Sequence, residues 1–483
     1  MPPLRRRSPA VLAAVLALAA AACRSGDERS SADVSDRSPS TAAPGRAGTT
    51  VAPLLTVPPA ATSPTCPATP RRAEPDPNRP RYRLTVDVRL AENTVVGTTE
   101  VRFTPDLETD RLVFRLWANG PRPTQAGGSM EAGEVTVDGR AAAVEASADA
   151  TILDVRPGRT LARGRAIEAR VPWTLHLPAS SNDRIARTGD AVRLGSFFPI
   201  LGWEPGVGWR TEPPTGAFAE ASTAPVADFD MTVTVPDGLT VLASGTSDRP
   251  GHWTAHAMRD VALSVGRFTT ASATAMAPGP VEVTVGVHHG IAEPPQRYLD
   301  RVVAVLEDFA GRFGPYPWPS YTLAITPGLG GGIEYPSHVM QGPGTIGRTT
   351  SHEVAHMWFY GLVGNNQGRD PWLDEGLASW GEARFEDALA EFRAFRQPAA
   401  ARGRMGEPMT YWANAASAYY SGVYVQGVQA LADLGPPDLV DCALRTYVAV
   451  YAHRIARPAD LVAALRASFP DAAEVLARYG VST

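Results

Sequence analysis

The sequence predicts an α+β chain of more than one domain, β-rich in its first part and mostly helical in its second. Three observations carry this. From Arg81 onward, apolar and polar residues alternate with period two, as in the run from Tyr82 to Leu90. From about Pro294 the period lengthens, and Tyr298, Val302, Val305, Leu306, Phe309 and Phe313 recur at three and four residues. Ahead of both lies a stretch rich in Ser, Thr, Pro, Ala and Gly without aromatics, which buries too little surface to fold.

Taken in order, residues 1–22 hold a basic start and a short apolar run from Ala10 to Ala22. This is the pattern of a secretory signal, too short for a comfortable membrane span. Small residues run up to Cys23, the position where cleavage would expose a cysteine for lipidation; Ala20 stands where such sites usually carry leucine. The competing reading is ordinary cleavage at an Ala-x-Ala site and secretion. Residues 23–79 then read as a disordered tether.

Residues 80–290 form the β domain. Strands are expected near 82–90, 94–103, 112–117, 133–137, 167–172, 229–235 and 281–287, with turn residues between them. Residues 291–483 form the second domain. A helix from about 294 is followed by the short strand Tyr321–Ile325, a glycine-rich loop, two helices, and further helices over 411–434, 438–452 and 459–468.

Composition narrows the function. The 483 residues are 44% hydrophobic and 20% charged, ordinary for a globular protein. A net charge of −5 gives no reason to expect a nucleic-acid partner. All 45 basic residues are arginine, which excludes a lysine nucleophile and a Walker-A lysine. The cysteines are Cys23, Cys66 and Cys442, with no C-x-x-C pair, so a thiolate zinc site is not expected. Cys66 and Cys442 could pair in an oxidising compartment or remain two thiols.

The chemistry centres on His352-Glu353-Val354-Ala355-His356. Histidines four apart share one helix face, so both imidazoles can reach a single zinc ion. Glu353, angled off the metal, can take a proton from an attacking water. A catalytic zinc needs a third protein ligand, and Glu375 follows after eighteen intervening residues in Trp372-Leu-Asp-Glu-Gly376. Asp370-Pro371 reads as an N-cap followed by proline at the first helical position.

Together these residues resemble the M1 family of zinc metallopeptidases, the relatives of aminopeptidase N and leukotriene A4 hydrolase. The resemblance spans about 82–450, and its specific motifs lie between 331 and 427. It implies a thermolysin-like zinc peptidase domain with one Zn²⁺ held by His352, His356 and Glu375, an active site in the cleft between the domains, and peptides as substrates. Gly331-Gly332-Ile333-Glu334-Tyr335 is similar to the family's G-x-M-E-N segment. By that likeness Glu334 binds the substrate's free amino terminus, and the backbone at Gly331 and Gly332 pairs with the substrate. Val423-Tyr424-Val425-Gln426-Gly427 resembles the segment whose tyrosine stabilises the oxyanion; Tyr419 and Tyr420 are rivals for that role. The family's amine-gripping glutamine has no counterpart near Ser196–Trp203. The family's large helical carboxy-terminal domain looks absent.

The function expected is therefore a zinc aminopeptidase, lipid-anchored in the cell envelope through Cys23. Two alternatives stay open: a zinc endopeptidase or another amide or epoxide hydrolase on the same site, and a non-catalytic lipid-anchored binding protein. Asp374 is a further candidate, for orienting a histidine. His338 is a candidate to line the cleft, Trp203 and Trp209 to wall it, and His288-His289 to hold a second metal.

Overall fold

The period-two segments form the strands that their alternation predicts. The computed structural model describes residues 66–216 and 223–482. Strand Arg81–Arg89 buries Tyr82, Leu84, Val86 and Val88 and turns the residues between them outward. It pairs antiparallel with Thr94–Phe103 and parallel with Ala227–Thr234, inside a nine-stranded sheet. Tyr82 lies opposite Phe229 in that register, and their rings stack at 4.8 Å. Two four-stranded sheets accompany it.

The second part is built on a five-stranded sheet. Its order is Phe268–Met276, Pro280–His288, Ser320–Ile325, His338–Gln341 and Gly332–Tyr335. Helix Pro295–Phe313 links two of the parallel strands and buries Tyr298, Leu299, Val302, Val305, Leu306, Phe309 and Phe313. Gly332–Tyr335 closes the sheet as an edge strand, antiparallel to His338–Gln341. The helices that follow pack with this sheet and with one another. The boundary expected at 290 falls inside this sheet, which already starts at Phe268. Alternation reports which face of a strand is buried, not which sheet the strand joins, so the sequence could not place that boundary. One apolar cluster runs through both parts, and Thr65–Thr483 forms one compact unit.

Three further expectations change. The tether does not continue to residue 79. Cys66 is joined to Cys442 in a disulfide, Ala73 N–H donates to Ala449 O at 2.8 Å, and Arg79 pairs with Asp228 at 2.9 Å. These partners are 149 to 376 residues away, and local composition carries no trace of them. The span 411–434 is not one helix but Met409–Trp412, Ala416–Tyr420, a π turn at Ser421–Val425, and Gln426–Ala432. Asp370 is not the residue that precedes the helix after it: that helix starts at Trp372 behind Pro371, and the Asp370 carboxylate accepts from Arg369 Nε at 2.8 Å. No helix among the described residues is long and apolar enough to cross a membrane. The expected signal segment, Cys23 and the tether up to residue 65 lie outside the described residues.

Candidate metal centre and active site

Helix Arg348–Ala355 carries His352 and Glu353, and His356 continues its course at φ −60°. One turn therefore separates the two imidazoles. Helix Trp372–Phe385 packs against it and presents Glu375 in its first turn. The three predicted ligands meet. His352 Nε2 lies 3.1 Å from His356 Nε2 and 3.1 Å from Glu375 Oε2, and His356 Nε2 lies 3.4 Å from the same oxygen. Ligand atoms of a tetrahedral zinc, each about 2.0–2.1 Å from the ion, stand roughly 3.3 Å apart, so this triangle has the right size.

The outer nitrogens explain which way the lone pairs face. His356 Nδ1 lies 2.6 Å from Asp374 Oδ1, and His352 Nδ1 lies 3.4 Å from Glu382 Oε2. A proton on each Nδ1 is held by a carboxylate, which leaves both Nε2 lone pairs aimed at one point. Two facing lone pairs and a carboxylate oxygen are the donor set of a cation site. The residues fit zinc.

Around this triangle stand the other predicted groups. Glu353 is buried, and its Oε2 has no hydrogen-bond partner. Burial pushes its carboxyl up to about 7, against the pull of His352 and His356. Glu334, on the edge strand, is 7% exposed, and one of its carboxylate oxygens lies within 4.8 Å of a Glu353 oxygen and of a His356 ring nitrogen. Gly332 is needed for steric reasons, since a Cβ there would stand 2.3 Å from the Glu353 carboxylate. Gly331 carries no such constraint; its carbonyl accepts from Gly342 N–H at 2.8 Å.

Tyr424 sits in the π turn, and its ring stacks on His352 with centroids 5.4 Å apart and planes 14° from parallel. Burial and the nearby Glu375 carboxylate hold its phenol well above its usual range. It gets this close because two glycines cross: a Cβ on Gly427 would lie 2.4 Å from Gly376 Cα. Of its rivals, Tyr419 is buried edge-on against Tyr424, and Tyr420 is 54% exposed. Neither takes the place over His352 that Tyr424 holds.

Residues 299–478 match the family model for the Peptidase family M1 domain. This stretch, a little over a third of the chain, is similar to that domain. Curated relatives agree over short stretches. Leukotriene A-4 hydrolase of Xenopus laevis is 33% identical over 107 residues, covering 20% of this chain and 17% of that protein. Aminopeptidase B of Rattus norvegicus is 26% identical over 177 residues, covering 33% of this chain and 26% of that protein. The chain thus spans about a sixth to a quarter of the length of these curated relatives. Among solved structures, a two-domain M1 zinc metallopeptidase mutant bound to L-tryptophan is similar with a TM-score of 0.64 at 18% identity, covering 84% of this chain and 95% of that one. A mutant M1 zinc metallopeptidase from Deinococcus radiodurans, bound to a Tyr-Ser-Ala substrate, gives 0.63 at 18% identity, with 84% and 95% covered. The fold is that of these two-domain M1 metallopeptidases.

Around this site, sequence reasoning missed several contacts. Glu382 lies seven residues after Glu375, on the same helix face, and that spacing was a readable signal. Gln367, which donates to Asp374 Oδ2 at 2.5 Å, had none, because it lies in a loop. Arg259 comes from the β-rich part and is fully buried; it donates to Tyr360 O at 2.5 Å and Ala224 O at 3.1 Å, bracing the turn after the metal helix. Asp374 takes the orienting place considered for it.

Of the remaining candidates, His338, Trp203 and Trp209 are packed into the fold, while Asp190, His288 and His289 bring ligand atoms within 4.8 Å of one another. His338 is buried between Ser264 and Thr322, at 2.9 and 2.6 Å, and burial pushes its imidazole down to about 3. Trp203 and Trp209 pack edge to face at 4.6 Å in the β-rich part. His288 lies 3.0 Å from Asp190, while its Nδ1 accepts from Gly290 N–H at 3.3 Å. That places the ring proton on Nε2, towards Asp190, where a second metal would need a lone pair. Ser196, in the segment without the family glutamine, backs the edge strand instead: its hydroxyl lies 3.4 Å from Tyr335 OH and donates to Asp260 at 2.8 Å.

Proposed function

We propose that the chain is a zinc-dependent aminopeptidase that removes residues from the free amino termini of peptides. The observation that carries this is the meeting of three metal-sized ligand contacts with a buried Glu353, whose Oε2 has no hydrogen-bond partner, and a buried Glu334 beside it. The M1 match and a structural neighbour with a bound tripeptide support the same reading. His352, His356 and Glu375 would hold the zinc, which when bound would supply a Lewis acid for the scissile carbonyl and lower the pKa of an attacking water. Glu353 takes the proton of that water and returns it to the leaving amine. Tyr424 donates its phenol hydrogen to the developing oxyanion. Glu334 accepts hydrogen bonds from the substrate's free α-ammonium and so fixes its distance from the scissile bond.

The test uses zinc-loaded protein and paired peptides with free or acetylated amino termini, read by mass spectrometry, with Glu353→Gln as control. Stepwise loss of first residues from free peptides alone is the expected result. Internal cuts indifferent to acetylation would make it an endopeptidase. Bound zinc with no cleavage beyond the Glu353→Gln control would make it a binding protein.

We infer further that the chain is exported and lipid-anchored through Cys23. The basic and apolar start, the small residues before Cys23 and a disulfide between Cys66 and Cys442 support this, since such bonds persist in oxidising compartments. Labelled palmitate should appear in the wild type and vanish in Cys23→Ala. No label in either would leave simple secretion, and equal labelling of the two would place the lipid on another residue.

A further inference from the structure

The Gly332–Tyr335 edge strand carries Glu334, and something must fix how far it stands from the metal ligands. Its own sheet holds one side. Behind it, Leu329, Ile333, Tyr335 and Met340 form a small apolar cluster with Ala262. The loop that leads into it, Pro327–Gly331, is gripped from the β-rich part. Arg193 is 1% exposed and works entirely on backbone carbonyls. It donates from Nε to Asp183 O at 3.0 Å, from one terminal nitrogen to Pro327 O at 2.5 Å, and from the other to Ser181 O. Asn182 stands beside it, and its Oδ1 accepts from Gly330 N–H at 2.9 Å. Arg122 in turn holds Asn182 O at 2.6 Å and the Asp183 carboxylate at 3.0 Å. The seam is tight: Gly328 has φ +78°, and a Cβ there would lie 2.8 Å from both Ser180 Oγ and Thr188 Oγ1.

We propose that Asn182 and Arg193 are positioning residues that set the placement of the Gly332–Tyr335 strand, and through it decide how well free amino termini are selected over blocked ones. This rests on the aminopeptidase reading. The physical ground is that Glu334 lies four residues beyond Gly330 on a short edge strand. With one neighbouring strand only, that strand's angle depends on where its entry loop is held. A shift of a fraction of an ångström moves a carboxylate that has to meet an ammonium at a set distance from the scissile carbonyl. The metal ligands lie on other helices and do not depend on this loop.

The experiment compares wild type, Asn182→Ala and Asn182→Asp on paired free and acetylated peptides, with bound zinc and melting temperature measured alongside. Asn182 is half-buried in a loop, so Asn182→Ala is expected to fold and keep its zinc. It should raise KM for free peptides about threefold to tenfold, the worth of one lost hydrogen bond, with kcat nearly unchanged and selectivity lowered to match. Asn182→Asp keeps an oxygen acceptor for Gly330 N–H and should restore KM. Wild-type KM and selectivity in Asn182→Ala would overturn the positioning role alone. A wild type indifferent to acetylation would overturn the aminopeptidase reading and the selectivity role with it.

Discussion

Gly332 and Glu353 show how much of this site rests on single residues. The proposed base can occupy its place only because its neighbour on the edge strand has no side chain. Gly332→Ala should therefore keep zinc, since no ligand moves, and lose activity at least about 100-fold as Glu353 is driven aside, within the range for removing a general base. Metal content and turnover measured on one preparation decide this, and an active alanine variant would show that Glu353 has other room. Tyr424→Phe keeps the ring on His352 and removes only the donor. It should lower kcat about 10²–10³-fold with KM little changed, as losing an oxyanion donor does; full turnover would remove Tyr424 from the chemistry. Residues of the first kind could not be read from the chain, because Gly332 and Glu353 touch across two elements. His352, Glu353 and His356 could, because helical spacing places them without reference to the rest of the fold.

At the scale of the element, the crossing of Gly376 and Gly427 sets how closely the Glu375 helix meets the segment that bears Tyr424. Gly427→Leu should push the two apart and destabilise the chain by about 1–3 kcal/mol, the usual cost of overpacking. Thermal melting checks the stability. A larger loss in kcat than Tyr424→Phe causes would show that Glu375 has moved as well. An unchanged melting curve would mean that the helices have slack. The strands and the helix Pro295–Phe313 were legible because each declares its buried face by its own period. The stretch 411–434 was not. Its apolar, alanine-rich run suits a helix, but the Trp412 ring packs where a side chain on Gly422 would sit, and the chain opens into a π turn there. Packing overrode propensity.

For the whole molecule, the strap from Cys66 to Arg79 ties the start of the described chain to its last third at Cys442 and Ala449, and to its middle at Asp228. A bond that closes a loop of this length restricts the unfolded chain strongly and is worth roughly 2–5 kcal/mol. Cys66→Ser should lower the melting temperature by several degrees. A reductant should bring the wild type down to the same value and leave the variant where it is; equal melting of both proteins without reductant would show that the strap does not stabilise the fold. Arg259, Asn182 and Arg193 act at this scale too, since each reaches from the β-rich part into loops that carry the site. The sequence by itself determined the two-part architecture and the placing of His352, Glu353 and His356 on one helix, because periodicity and short spacings are local properties of the chain; Glu375 and Tyr424 were singled out by the likeness of their segments to the M1 family. Only the tertiary structure decided the sheet that crosses residue 290, the pairing of Cys66 with Cys442, the glycine contacts that make room for Glu353 and Tyr424, and the clamp on the edge strand. Each of those joins residues far apart in sequence, and their meeting follows from how the elements pack, which no local pattern records.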